Sequence, residues 1–87
     1  MEIKDAGGVR ELAEDLDRLH TTRLGAQRIR KNLSLDEGVD VVAWCREKIR
    51  APQSVIRRRG KNWYAAVDGC IITVNVQSAT IITAHKQ

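Results

Sequence analysis

Gly60–Lys86, GKNWYAAVDGCIITVNVQSATIITAHK, decides the fold. Trp63–Val67 is a run of aromatic, small and branched residues, and Asp68-Gly69 comes directly after it. Asp-Gly supplies the two positive-φ positions of a tight hairpin turn, so Cys70–Asn75 reads as the returning strand. Val76–Ala79 makes a second connection. Thr80-Ile81-Ile82-Thr83-Ala84-His85 is a third strand, rich in β-branched side chains that suit a pleated surface. Upstream, Ser54–Arg58 can form a further strand that enters Trp63 through the turn Gly60-Lys61-Asn62. The predicted strands are 54–59, 63–67, 70–75 and 80–85.

Working further outward, the periodicity changes from two to 3.6. Val9, Leu12, Ala13, Leu16 and Leu19 form one apolar stripe, predicting a helix over 9–19 with Glu11, Glu14, Asp15 and Asp17 on its other face. Thr21 or Thr22 is a good N-cap for a second helix through about Asn32, with Leu24, Ile29 and Leu33 as its apolar positions. Gly25 inside that helix implies a close contact. Ser34-Leu35-Asp36-Glu37 has capping-box spacing, but Gly38 weakens the start, and Asp40 is the other place for the third helix to begin. That helix runs to about Arg50, with Val41, Val42, Cys45 and Ile49 as its stripe, and Pro52 stops it.

Helices segregated from turn-separated strands predict an α+β fold: about three N-terminal helices packed on one face of a C-terminal four-stranded antiparallel sheet. The expected unit is a single domain over 1–87, helical over 8–51 and sheet over 54–86. The other sheet face is then free to work. The predicted core is Leu12, Leu16, Leu19, Ile29, Val42, Cys45, Ile49, Ile72, Val74 and Ile82, with Trp63 filling the place that Phe would take in a chain that has none.

Composition narrows the function classes. No run approaches the roughly 20 apolar residues of a membrane span. MEIKDAGG is too polar for a secretory leader, so a cytoplasmic location is expected. Cys45 and Cys70 belong to no C-x-x-C pair, and with His20 and His85 they match no zinc pattern, so no metal is expected. Dinucleotide and P-loop glycine motifs are absent, so no cofactor is expected either.

The net charge of +4 is unevenly spread: residues 1–20 sum to −3, residues 21–60 to +6 and residues 61–87 to +1. A basic middle of this kind suits RNA or another polyanion.

Three groups carry the chemistry. His20 and His85 are the acid–base candidates, and two imidazoles can divide a metal-independent phosphodiester cleavage between them, with the RNA 2′-hydroxyl as nucleophile. Arg57-Arg58-Arg59-Gly60-Lys61-Asn62-Trp63-Tyr64 places four cations, an amide and two aromatics in eight residues. Cations neutralise phosphates and an aromatic face stacks a base. The same cations also serve as guards on an edge strand. The third group is the polar set Thr73, Asn75, Ser78, Thr80 and Thr83. Which of them share a face with His85 depends on the register across Val76–Ala79, which the sequence leaves open.

LHTTRLGAQRIRKNL, GKNWYAAVDG and ITVNVQSATIITAHK resemble a small bacterial family known only as a domain of unknown function. The resemblance is carried by His20, Thr22, Gly25, Arg28, Ile29 and Asn32, by Gly60–Trp63, and by Asn75, Thr80, Ile81 and Thr83–Lys86, and it implies no activity. More distantly, helices followed by a four-stranded sheet resemble the barnase, colicin and RelE-type ribonucleases. That likeness implies His85 and His20 as acid and base, Lys61 and Arg28 as phosphate ligands, and Thr83 as an orienting hydroxyl. With Arg57, Asn62 and Asn75 added to the substrate contacts, the expectation is an RNA-binding, toxin-type ribonuclease-like domain. The competing expectation is a non-enzymatic protein-interaction or inhibitor module that binds through charged surfaces.

Overall fold

The computed structural model describes residue 12 and residues 14–87. Two α-helices, α1 (Arg23–Leu33) and α2 (Val41–Arg50), precede four strands, β1 (Val55–Arg59), β2 (Asn62–Val67), β3 (Cys70–Asn75) and β4 (Ile81–Lys86). The sheet is antiparallel throughout, in the order β1-β2-β3-β4. The α+β expectation and the four strands hold. Among the described residues there are two helices rather than about three, with Leu12 and Glu14 in helical conformation ahead of them. Of the helix predicted over 9–19, residues 9–11 and 13 lie outside the described residues, and the chain beyond Glu14 forms only a short 3₁₀ turn, Leu16–Arg18. Leu12, Leu16 and Leu19 are nevertheless buried as expected. Arg46 Nε donates to the Leu16 carbonyl at 3.0 Å and ties this turn to α2.

Local chemistry sets the helix ends. Thr22 Oγ1 accepts the Gly25 N–H at 2.9 Å and starts α1. Gly25 is required there because a Cβ would collide with Thr21 Oγ1 and stand 3.1 Å from Thr22 Oγ1. Ser34 does not open the next helix. It is the left-handed C-cap of α1 at φ 57°, its N–H spent on the Arg30 and Lys31 carbonyls. An N-cap needs extended backbone, and Asp40 has it, accepting the Ala43 N–H at 3.1 Å.

The buried stripes run Gly25, Ile29, Leu33 on α1 and Val41, Cys45, Ile49 on α2, each at i, i+4, i+8. Two expectations therefore shift by one residue: Leu24 is 68% exposed, and Val41 rather than Val42 is fully buried. Burial pushes the Cys45 thiol up to about 12, with the neighbouring Cys70 adding to the rise, so Cys45 stays protonated core.

Both helices lie against one sheet face, the one carrying Ile56, Trp63, Ala65, Val67, Ile72, Val74, Ile81 and Ala84. A bulge in β4 decides part of this set. Thr73 opposes Thr83 but Val74 opposes Ile81, so Ile82 is an extra residue without a partner. Ile81 is thereby turned inward at 1% exposure and Ile82 outward at 40%, which corrects the predicted core position.

The hairpin turn between β2 and β3 obeys its residues. Asp68 (φ 51°) and Gly69 (φ 77°) take the positive-φ positions. Asp68 also anchors α2 to this turn, accepting from Lys48 Nζ at 2.8 Å and Gln53 Nε2 at 3.1 Å. The hydrogen bond from Lys48, then that from Gln53, holds the Asp68 carboxyl below the usual carboxylate range. A lowered folded-state value stabilises the fold above the unfolded carboxylate pKa of about 4, and that contribution is lost as pH falls through the lower folded value. The carboxyl is solvent-exposed, so the effect is small. Asp68→Asn keeps a residue tolerant of positive φ and removes the charge. Its melting temperature is expected below the parent's at neutral pH and to converge with it under acid. A gap unchanged down to acid pH would overturn the assignment.

Candidate functional site

No described helix covers the second sheet face. Strand alternation from the two-residue Gly60-Lys61 loop fills it in rows. Arg57, Tyr64, Thr73 and Thr83 stand opposite one another across all four strands. One step toward the loop end, Arg59, Asn62 and Asn75 form the next row. It continues to Thr80, whose carbonyl accepts the Asn75 N–H at 2.8 Å, and to His20, which bridges Thr80. One step the other way lie Val55, Ala66, Ile71 and His85.

Cations therefore stand along the β1 edge, the one tyrosine near the middle, and hydroxyls and amides beyond it. Thr73 is buried between Tyr64 and Thr83, the one buried polar side chain among the described residues. Asn62 Nδ2 reaches the Tyr64 hydroxyl at 3.4 Å, while Asn62 Oδ1 is buried without a partner.

The loop end is tightly organised. Asn75 Oδ1 accepts the N–H groups of Gln77 at 3.0 Å and Ser78 at 2.9 Å, and lies 3.1 Å from the Ser78 hydroxyl. Ser78 Oγ lies 2.7 Å from Thr80 Oγ1, which lies 3.1 Å from His20 Nε2. His20 Nδ1 is 3.0 Å from the Arg18 carbonyl. A carbonyl only accepts, so Nδ1 carries a proton, and Nε2 faces the Thr80 hydroxyl. The Ser78 hydroxyl donates to Asn75 Oδ1, and the chain fastens the 76–79 turn to the edge of β4. A hydroxyl against an oriented imidazole is also the pattern of an activated nucleophile.

The outer edge of β4 is met by the same segment and by α1. The His20 carbonyl accepts the Ile81 N–H at 2.7 Å, Thr21 Oγ1 donates to the Ile81 carbonyl at 2.9 Å, and Asn32 Nδ2 donates to the Ala84 carbonyl at 3.3 Å. His20, Thr22, Gly25, Asn32, Asn75 and Thr80, which carry the sequence resemblance, thus all have places in the architecture.

Of the predicted site residues, the sheet gathers Arg57, Asn62, Asn75 and Thr83 on one face, with His20 at its rim and Lys61 in the adjoining turn, where the Lys61 carbonyl accepts the Val76 N–H at 2.8 Å. His85 is on the same face but at the far end, five residues along β4 from Thr80 and so roughly 15 Å away. Arg28 is on the exposed side of α1, in the helical layer. The expected pairing of His20 with His85 in one catalytic pair does not occur in this geometry. Sequence reasoning set Tyr64 and Arg59 beside the site without including them, although counting back from a two-residue Gly60-Lys61 loop places Arg59 opposite Asn62 and Arg57 opposite Tyr64.

Among the described residues, no three or more His, Cys, Asp or Glu side chains gather closely enough to hold a metal ion. No described helix is long and apolar enough to cross a membrane.

The fold and face define a small two-layer α+β domain with one sheet surface uncovered by any described element. The chain belongs to the family described as "Protein of unknown function (DUF3781)", whose model matches residues 13–85. No curated protein and no solved structure matches it.

Proposed function

We propose that this protein binds single-stranded RNA across its open sheet face. The observation that supports this is the pair of adjacent rows, Arg57–Tyr64–Thr73–Thr83 and Arg59–Asn62–Asn75–Thr80–His20. They offer phosphate contacts at one edge, a stacking ring near the centre and hydrogen-bonding groups beside it. A broad, shallow face with one aromatic suits unpaired bases, which can splay out and stack, better than a duplex. Lys61 in the adjoining turn extends the cationic edge. Binding without cleavage is the favoured reading, because His20 and His85 stand too far apart to share one phosphodiester.

The test is titration of labelled single-stranded RNA at increasing salt. Affinity is expected to fall with a log–log slope of about 0.7 per phosphate contacted. The RNA should be recovered intact after incubation with excess protein. No binding even at low ionic strength would overturn the proposal, and a product ending in a 2′,3′-cyclic phosphate would restore the catalytic reading.

A further inference from the structure

The two edges of the sheet are treated differently. The β4 edge is closed by His20, Thr21 and Asn32. Along the outer edge of β1, no described segment pairs. In a two-residue hairpin the residues flanking the loop form a hydrogen-bonded pair, and bonding alternates from there. Arg59, Arg57 and Val55 therefore bond to β2, while the main-chain N–H and C=O of Ile56 point away from the sheet.

A cleft of about 280 Å³ opens beside this point on the helical side, lined by Leu16, Ile49, Ala51, Pro52, Ser54 and Ile56, with Arg50 also on its wall. On the other side of the same edge, the exposed Arg57 and Arg59 point to the open face. Arg58 is engaged in an interaction of its own and has no part in the site.

We propose that this edge is a docking site for an extended acidic segment of another protein, added alongside β1. An added strand places alternate side chains on opposite faces. A residue opposite Ile56 points into the cleft, whose apolar lining and volume take one leucine-sized side chain. The next residue of the added strand, opposite Arg57, points to the open face toward Arg57 and Arg59 and is acidic. The occupant thus alternates apolar with acidic residues. A second copy of this chain fits poorly, because antiparallel self-pairing about Arg57 sets Arg57 against Arg57, and like charges directly opposite are destabilising. This inference shares Arg57 and Arg59 with the RNA-binding reading but rests on the β1 edge and the cleft beside Ile56, which that reading does not use.

The experiment uses the full chain and a short fluorescein-labelled peptide alternating leucine with glutamate, followed by anisotropy. The glutamate peptide is expected to bind about tenfold or more tightly than its leucine–lysine counterpart. Methylating the peptide's backbone nitrogens should abolish binding, since strand addition needs those N–H groups and the protein is left unchanged. Ala51→Leu, which narrows the cleft, should weaken binding while the melting temperature is held. Equal affinity for both charge types, indifference to N-methylation, or no binding at all would each overturn the proposal. Concentration-dependent dimerisation of the protein alone through β1, seen by sedimentation, would assign the edge to a second copy instead.

Discussion

Trp63→Ala is expected to lower the melting temperature by about 15 °C or more. Trp63 is 1% exposed and is the largest fully buried side chain, set between Arg58 on β1 and Val74 on β3 on the face that packs the helices. Truncating a buried aromatic to Ala costs about 3–5 kcal/mol, from lost transfer energy and from the cavity left behind. A domain of this size holds roughly 5–15 kcal/mol in total, and 1 kcal/mol moves the midpoint by about 4–8 °C. With no Phe in the chain and mostly aliphatic residues in the surrounding core, little can collapse into the space. Its Nε1 is buried without a partner, so Trp63→Phe removes an unpaired donor and should cost clearly less than Trp63→Ala. Thermal unfolding by circular dichroism checks both. A Trp63→Ala midpoint within a few degrees of the parent's would show that this ring does not organise the core.

Tyr64→Ala is expected to weaken RNA binding by about 1–3 kcal/mol, the range for losing one stacked base, with a much smaller effect on stability. Tyr64 neighbours Trp63 but points to the other face, where it is half-buried between Arg57 and Thr73. Tyr64→Phe keeps the ring and gives up only the contact with Asn62 at 3.4 Å, so it should bind RNA nearly as well as the parent. Anisotropy titration at low salt separates the cases. Equal losses for Ala and Phe would point to the hydroxyl rather than stacking, and no loss for Ala would remove Tyr64 from the interface. The consecutive residues Trp63 and Tyr64 thus divide the roles of core and surface by strand alternation alone.

The class of fold was legible because its signals are local. Asp68-Gly69 dictates a tight turn through backbone conformation, Gly60 marks the other, whose loop is Gly60-Lys61 rather than the expected Gly60-Lys61-Asn62, and β-branched runs between them have few other options. The helix stripes were legible to within one residue. The sequence carried two possible starts for α2, and Asp40 was one of them. The competing start at Ser34 failed because a side chain that can cap one helix can also end the one before it, and only the geometry of both ends distinguishes these roles.

The order of elements, the turns and most of the core were therefore determined by the sequence itself, since these depend on propensities and periods acting over a few residues. The tertiary structure alone decided the β4 bulge that exchanged Ile81 for Ile82, because a bulge depends on what the partner strand and the helices press against. It also decided which polar residues meet. His20 joins Thr80 across 60 residues of sequence, whereas His85, five residues beyond Thr80 on the same strand, stands at the other end of the sheet. Residue types announced the candidate chemistry, but strand register and the docking of the segment before α1 determined where it stands, and those are contacts between residues far apart in the chain.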